Sequence, residues 1–132
     1  MTPAPRFLTR AEIDLIHQDQ IVRYGGSMGV RDGGLLDSAI AQPATQFAGT
    51  FLHSDLFEMA AAYLFHLTGN HPYLDGNKRV GIAAAIVFLS LNGFSLQCAD
   101  DDLEAIVFQV ARGELAKAQL ADFFRTSSVK TT

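Results

Sequence analysis

Nine consecutive residues, His71-Pro72-Tyr73-Leu74-Asp75-Gly76-Asn77-Lys78-Arg79, place an imidazole, a carboxylate, a carboxamide and two cations on one short stretch. Histidine is the side-chain type whose ordinary pKa lies nearest neutrality, so the His71 imidazole can take a proton from an attacking hydroxyl. Asp75 is a hard oxygen ligand of the kind that holds Mg²⁺ together with substrate phosphates. Gly76 lets the backbone approach a ligand closely, and Asn77 can donate an amide to a phosphate oxygen. Lys78 and Arg79 stand where a helix begins, the end that cations avoid unless a bound anion offsets the dipole. A base, a metal ligand, exposed amides and cations are the parts that phosphoryl or nucleotidyl transfer requires. Each residue alone has a plainer use: a His before Pro lies on the surface, Asp-Gly-Asn makes a turn, and Lys-Arg is solvated. Their crowding into nine positions favours a shared anion site.

The elements around this stretch are helical. Thr9-Arg10-Ala11-Glu12 reads as a capping box that opens a first helix. Ile13, Ile16 and Tyr24 lie near one face of it, with His17 and Gln20 between, and Gly25-Gly26 stops it. A glycine-rich loop runs to Gly34, and Asp32 caps a second helix that reaches about Gln42, before Pro43. In the loop 43–53, Phe47 and Phe51 read as core anchors, or alternatively as a flap that touches a protein substrate. Ser54 or Asp55 opens a third helix, with Leu56, Met59, Ala60, Tyr63, Leu64 and Leu67 at helical spacing and an end near Thr68. Pro72 pushes His71 out of helical dihedrals, so His71 sits on a turn. A fourth helix, about Asn77 to Asn92, is apolar nearly all round and therefore central. Phe94-Ser95-Leu96 reads as a short extended piece. Asp100 or Asp101 caps a fifth helix to Arg112. A sixth spans about Leu115 to Arg125, with Leu115, Ala118, Leu120, Phe123 and Phe124 inward. The polar tail 126–132 is expected to be disordered. The expected class is all-α: a compact single domain, 1–132, of about six helices around a buried central helix.

Composition narrows the functions. The chain has 132 residues, 48% of them apolar and 18% charged, with a net charge of −4. Its ten Lys and Arg are scattered, which argues against direct nucleic-acid binding. The lone Cys98 rules out an internal disulfide and a Cys-rich zinc site. The longest apolar stretch, Val80 to Leu91, is well short of the roughly 20 residues a membrane span needs. MTPAPRFLTRAE has no apolar run of signal-sequence length, so a cytoplasmic protein is expected.

The nine residues resemble the Fic/Doc family signature H-x-F-x-[DE]-[GA]-N-[GK]-R. His71, Asp75, Gly76, Asn77, Lys78 and Arg79 fit it, and Tyr73 stands where Phe is usual. The stretch from about Leu56 to Phe94, ending in Asn92-Gly93-Phe94, and the opening helix with Tyr24-Gly25-Gly26 also look like the death-on-curing (Doc) branch. The resemblance implies that His71 is the general base, or orients the target hydroxyl, and that Asp75 holds Mg²⁺. The backbone from Gly76 on, with Asn77, Lys78 and Arg79, would cradle ATP phosphates, and Tyr73 would anchor the turn in the core. Many family members that transfer AMP carry Gly at the position of Lys78 and a second Arg at that of Ile82. Lys78 and Ile82 instead match the Doc branch. That branch implies a toxin that moves the ATP γ-phosphate to a threonine of translation elongation factor Tu and stops translation. It also implies a small antitoxin, expected to dock on a groove of the early helices. AMP transfer to a protein hydroxyl is the alternative on the same scaffold.

Two further readings compete. A metal hydrolase would use His66, His71 and Asp75 as ligands, though two His five apart, with Gly69 between them and Pro72 just after, lack the i, i+4 geometry of a helical zinc pair. A non-catalytic module would use the same surface only to bind a partner.

Overall fold

The computed structural model describes residues 4–131, and within them six α-helices carry most of the chain. In order they are α1 (Arg10–Tyr24), α2 (Gly33–Ala41), α3 (Leu56–Asn70), α4 (Asn77–Leu91), α5 (Asp100–Ala111) and α6 (Lys117–Ser127). A 3-10 turn, Gln42–Ala44, follows α2. The capping box opens α1 as the sequence predicts: Glu12 N donates to Thr9 Oγ1 (3.1 Å) and Thr9 N donates to Glu12 Oε1 (3.0 Å). Such a cap contributes about 1 kcal/mol. The Asp32 and Asp55 side chains accept the Leu35 and Glu58 amides and so start α2 and α3 in the same way.

Helices α3 and α4 form the centre. Helix α3 packs against α2, α4, α5 and α6, and every residue from Met59 to Leu64 on it is buried. On α4 the buried positions include Val80, Gly81, Ala84, Ala85, Phe88 and Leu89. Small residues let the two backbones come close. A methyl group on Gly81 would stand 3.2 Å from the Leu64 carbonyl oxygen and 3.1 Å from Thr68 Oγ1. Tyr63, Tyr73, Phe88 and Phe124 fill the remaining core.

Several boundaries differ from the sequence reading. Helix α3 runs two residues past Thr68, to Asn70, and His71 is its left-handed C-cap (φ 50°, ψ 51°). Helix α5 is capped by Ala99, which offers no side-chain acceptor. Asp100 and Asp101, read as caps, instead lie inside its first turn with Asp102, where carboxylates favour the dipole. Helix α6 starts at Lys117 rather than Leu115, and Ala118, read as inward, faces solvent. The inner stripe of α1 is Ile13, His17 and Ile21, and Tyr24 is exposed. Phe47 is no core anchor: β1 (Gln46–Phe47) and β2 (Thr50–Phe51) form an antiparallel hairpin that leaves it 80% exposed, while Phe51 packs on Phe7. The tail read as disordered continues α6 and then forms β4 (Ser128–Lys130), antiparallel to β3 (Phe94–Leu96), with Ser95 opposite Val129. That strand partner lies far back in the chain, and local polarity does not reveal it. Thr132, the end of that tail, lies outside the described residues.

Candidate functional site

The motif turn is built by its own backbone and by α1. Asn77, buried at the start of α4, accepts the Tyr73 amide on Oδ1 (2.9 Å) and donates from Nδ2 to the Tyr73 carbonyl (3.0 Å). This reciprocal pair closes residues 73–77 into one unit. The Asn77 side chain is thus committed to the turn, and what it offers a ligand is its backbone amide. Gly76 is the N-cap, at φ 76°, and has no side chain to occupy the first amides of α4. Those amides are therefore left without a side-chain cap at the positive end of a helix dipole.

Tyr73 fixes the turn to α1 at two points. Its hydroxyl donates to Asp14 Oδ1 (2.6 Å), and Arg10 Nε holds Asp14 Oδ2 (3.0 Å). Burial first, then the bond to Asp14, push the Tyr73 phenol upward, so it stays protonated. The ring lies face to face with the buried His17 imidazole, and His17 Nε2 contacts the Asp75 carbonyl (2.8 Å). A carbonyl only accepts, so Nε2 carries the proton. Sequence reasoning placed His17 on the inner face of α1 but gave it no role. A buried polar residue on an otherwise apolar stripe was the available signal.

The glycine-rich loop packs along the turn from the other side. Val30 forms an isolated bridge with Tyr73, and the Arg31 and Asp32 amides donate to the Pro72 carbonyl (2.8 and 3.0 Å). Arg31 also donates from its guanidinium to the His71 carbonyl (2.7 Å) and the Asn70 carbonyl (3.0 Å), capping α3. Arg112 pairs with Glu114, and Asp55 with Arg125.

One cleft of about 380 Å³ collects the motif. Thr68, His71, Asp75 to Arg79 and Ala111 are among its lining residues. His71 is exposed on it. Lys78 Nζ rests 5.1 Å from the centre of the Phe108 ring, so α5 forms the far wall. The Asp75 carboxylate is held below its usual range, first by the Ser27 amide, then by the Gly76 amide and the Arg79 charge. Both oxygens accept an amide (3.2 Å from Ser27, 2.8 Å from Gly76), yet each keeps a second lone pair and the group is half exposed. An ionised, accessible, pre-oriented carboxylate beside a phosphate nest fits Mg²⁺.

Arg79 departs from the sequence argument. Its guanidinium reaches back to the carboxyl end of α1 and donates to the Gly25 carbonyl (2.9 Å) and the Gln20 carbonyl (3.3 Å). The negative end of the α1 dipole therefore already offsets this cation, and only Lys78 remains as one that a bound anion would neutralise. His66, considered above as a metal ligand, contacts Lys117 instead (2.9 Å). Among the described residues, no three His, Cys, Asp or Glu converge on a point where they could hold a metal ion by themselves.

The comparisons with known proteins point the same way. The family model described as Fic/DOC family matches residues 7–89. Over 83 residues the chain is 45% identical to a Mycolicibacterium smegmatis protein named Toxin Doc, a stretch that covers 63% of each chain. Over 121 residues it is 32% identical to a protein of Escherichia phage P1 named Protein kinase doc, covering 91% of this chain and 94% of that one.

Proposed function

We infer the activity from one premise: the chain belongs to the Fic/DOC family. We propose that it is the toxin of a toxin–antitoxin pair, acting in the cytoplasm. In this reading it moves the γ-phosphate of ATP to a threonine hydroxyl of translation elongation factor Tu and so stops translation. The observation that carries the reading is the uncapped start of α4 at Gly76, opening into the same cleft as the exposed His71 and Lys78. The names of the two relatives, one a toxin and one a protein kinase, support it.

The residues divide the work. The triphosphate rests on the amides from Asn77 onward, and Lys78 brings a mobile charge to its outer end. Arg79 adds positive potential from a fixed position. His71 takes the proton of the threonine hydroxyl as the hydroxyl oxygen bonds to the γ-phosphorus. The bond from the γ-phosphorus to the bridging oxygen breaks, ADP leaves with that electron pair, and His71 returns its proton to solvent. Asp75 would hold Mg²⁺, which when bound would supply positive charge to neutralise the phosphates. AMP transfer is disfavoured by Lys78, and by Ile82, which packs against the core where a second phosphate clamp would need a cation.

An antitoxin is the expected partner. Leu15 and Val22 are exposed seven residues apart on α1 and would offer an apolar surface to a partner helix.

The direct test incubates the purified chain with elongation factor Tu and Mg-ATP and reads the intact mass of the factor. One phosphoryl group on a threonine is expected. A whole-nucleotide adduct would replace phosphate transfer by AMP transfer, and an unmodified factor would remove it as the substrate.

A further inference from the structure

A second cleft, of about 250 Å³, opens between the end of the hairpin, the first turn of α3 and the start of α6, lined by Leu52, His53, Glu58, Lys117 and Ala118. It shares no lining residue with the motif cleft. Three of its features are incompletely satisfied among the described residues: a cation without a carboxylate, two amides without acceptors and a buried ring nitrogen without a hydrogen bond.

Lys117 is the first residue of α6, so its ammonium stands at the positive end of that helix dipole, where a cation is disfavoured. Among the described residues no carboxylate pairs with it. Its contacts are His66 Nε2 at 2.9 Å and the Phe65 ring, centred 5.7 Å away. An ammonium only donates, so His66 accepts as a neutral imidazole. Burial, then the Lys117 charge, push His66 down to about 4, in agreement.

The α6 amides are the second feature. Gln119 covers the Ala116 amide (2.9 Å), but Ala116, at the N-cap, has no oxygen to return. The amides of Lys117 and Ala118 are left as free donors. The third is His53, only 4% exposed, whose Nδ1 has no hydrogen-bond partner. A buried nitrogen left that way costs about 1–3 kcal/mol.

We propose that this cleft is an oxyanion site for one carboxylate-sized group, held by Lys117 Nζ, the Lys117 and Ala118 amides and the His53 ring. Glu58 sets the charge limit. Its Oε2 accepts the Ser54 hydroxyl and keeps a negative charge on the rim, which selects a monoanion over a dianion. The carboxylate belongs either to a small molecule or to the end of a peptide.

Amide NMR of the whole chain titrated with sodium acetate tests the site independently of nucleotide chemistry. Saturable shifts at Lys117 and Ala118 with a millimolar Kd are expected, with inorganic phosphate binding more weakly at pH 8. Lys117→Met and Ala118→Pro, the latter removing one amide where a first helical turn tolerates proline, should each weaken acetate at least about tenfold, and Lys117→Arg should retain it. Diglycine binding more tightly than both acetate and diglycine amide assigns the site to peptide ends, and diglycine binding no more tightly than acetate assigns it to small carboxylates. Shifts that stay linear to about 100 mM acetate, or acetate binding unchanged in both disabling variants, overturn the proposal.

Discussion

The imidazole of His17 lies on the ring of Tyr73 with centroids 3.7 Å apart and planes 5° from parallel, and its Nε2 contacts the Asp75 carbonyl at 2.8 Å. One α1 side chain thus sets both the anchor of the motif turn and Asp75, the residue proposed to hold Mg²⁺. His17→Phe keeps the stacked ring and loses the hydrogen bond. It should lower kcat/KM about tenfold or more while the melting temperature falls less than in His17→Ala, which opens a cavity costing about 2–4 kcal/mol. Equal activity of His17→Phe and the parent chain would show that the bond does not position Asp75.

Tyr73 stands where phenylalanine is usual in the family, and its hydroxyl has a charged partner in Asp14. Tyr73→Phe should destabilise by about 1–2 kcal/mol in urea unfolding. The same substitution in an Asp14→Asn background should cost clearly less, because a charge-assisted bond is no longer lost.

Gly25-Gly26 reads in sequence only as a helix stop. Gly26 lies at φ 121°, and a methyl group there would come within 2.7 Å of Asp75 Oδ2 and 3.1 Å of an Arg79 guanidinium nitrogen. Gly26→Ala should therefore displace the carboxylate and raise the Mg²⁺ concentration for half-maximal activity about tenfold. Gly25→Ala, whose methyl would meet nothing within 4 Å, is strained by its φ of 84° and should lower the melting temperature while shifting that concentration clearly less than Gly26→Ala.

His66 supplies a pH dependence. Its folded pKa of about 4 lies below the ordinary value of 6.5, so between them the unfolded chain binds the extra proton. This contribution to stability is complete above about pH 6.5 and is lost as pH falls toward 4. The full shift corresponds to roughly 3 kcal/mol, and solvent screening of a partly exposed ring reduces it to roughly 2 kcal/mol over that window. His66→Gln should flatten the fall measured by urea unfolding at pH 7, 5.5 and 4.5, and an unchanged slope would contradict the assignment.

Sequence legibility followed the range of the interactions. The turn at His71, the helix starts at Thr9, Asp32 and Asp55, and the buried run of α4 depend on residues within a few positions, and reading the sequence locates them closely. Arg79 could not be read that way, because its acceptors lie 54 and 59 residues earlier. The same holds for Asp14, which meets Tyr73 across 59 residues, and for Ser128–Lys130, which gain strand partners only once β3 is in place. Phe47 misled because an aromatic side chain in a loop predicts burial, and a hairpin can hold one out in solvent.

In the proposed reaction the cleft at Gly76 passes a terminal phosphate, with His71 as base. The most direct measurement incubates the chain with elongation factor Tu and either γ-labelled or α-labelled ATP, beside His71→Ala. Label should reach the factor from γ-labelled ATP alone, at a rate about 10²–10⁴-fold lower in the variant. Label from α-labelled ATP, or transfer undiminished by His71→Ala, would contradict that reaction.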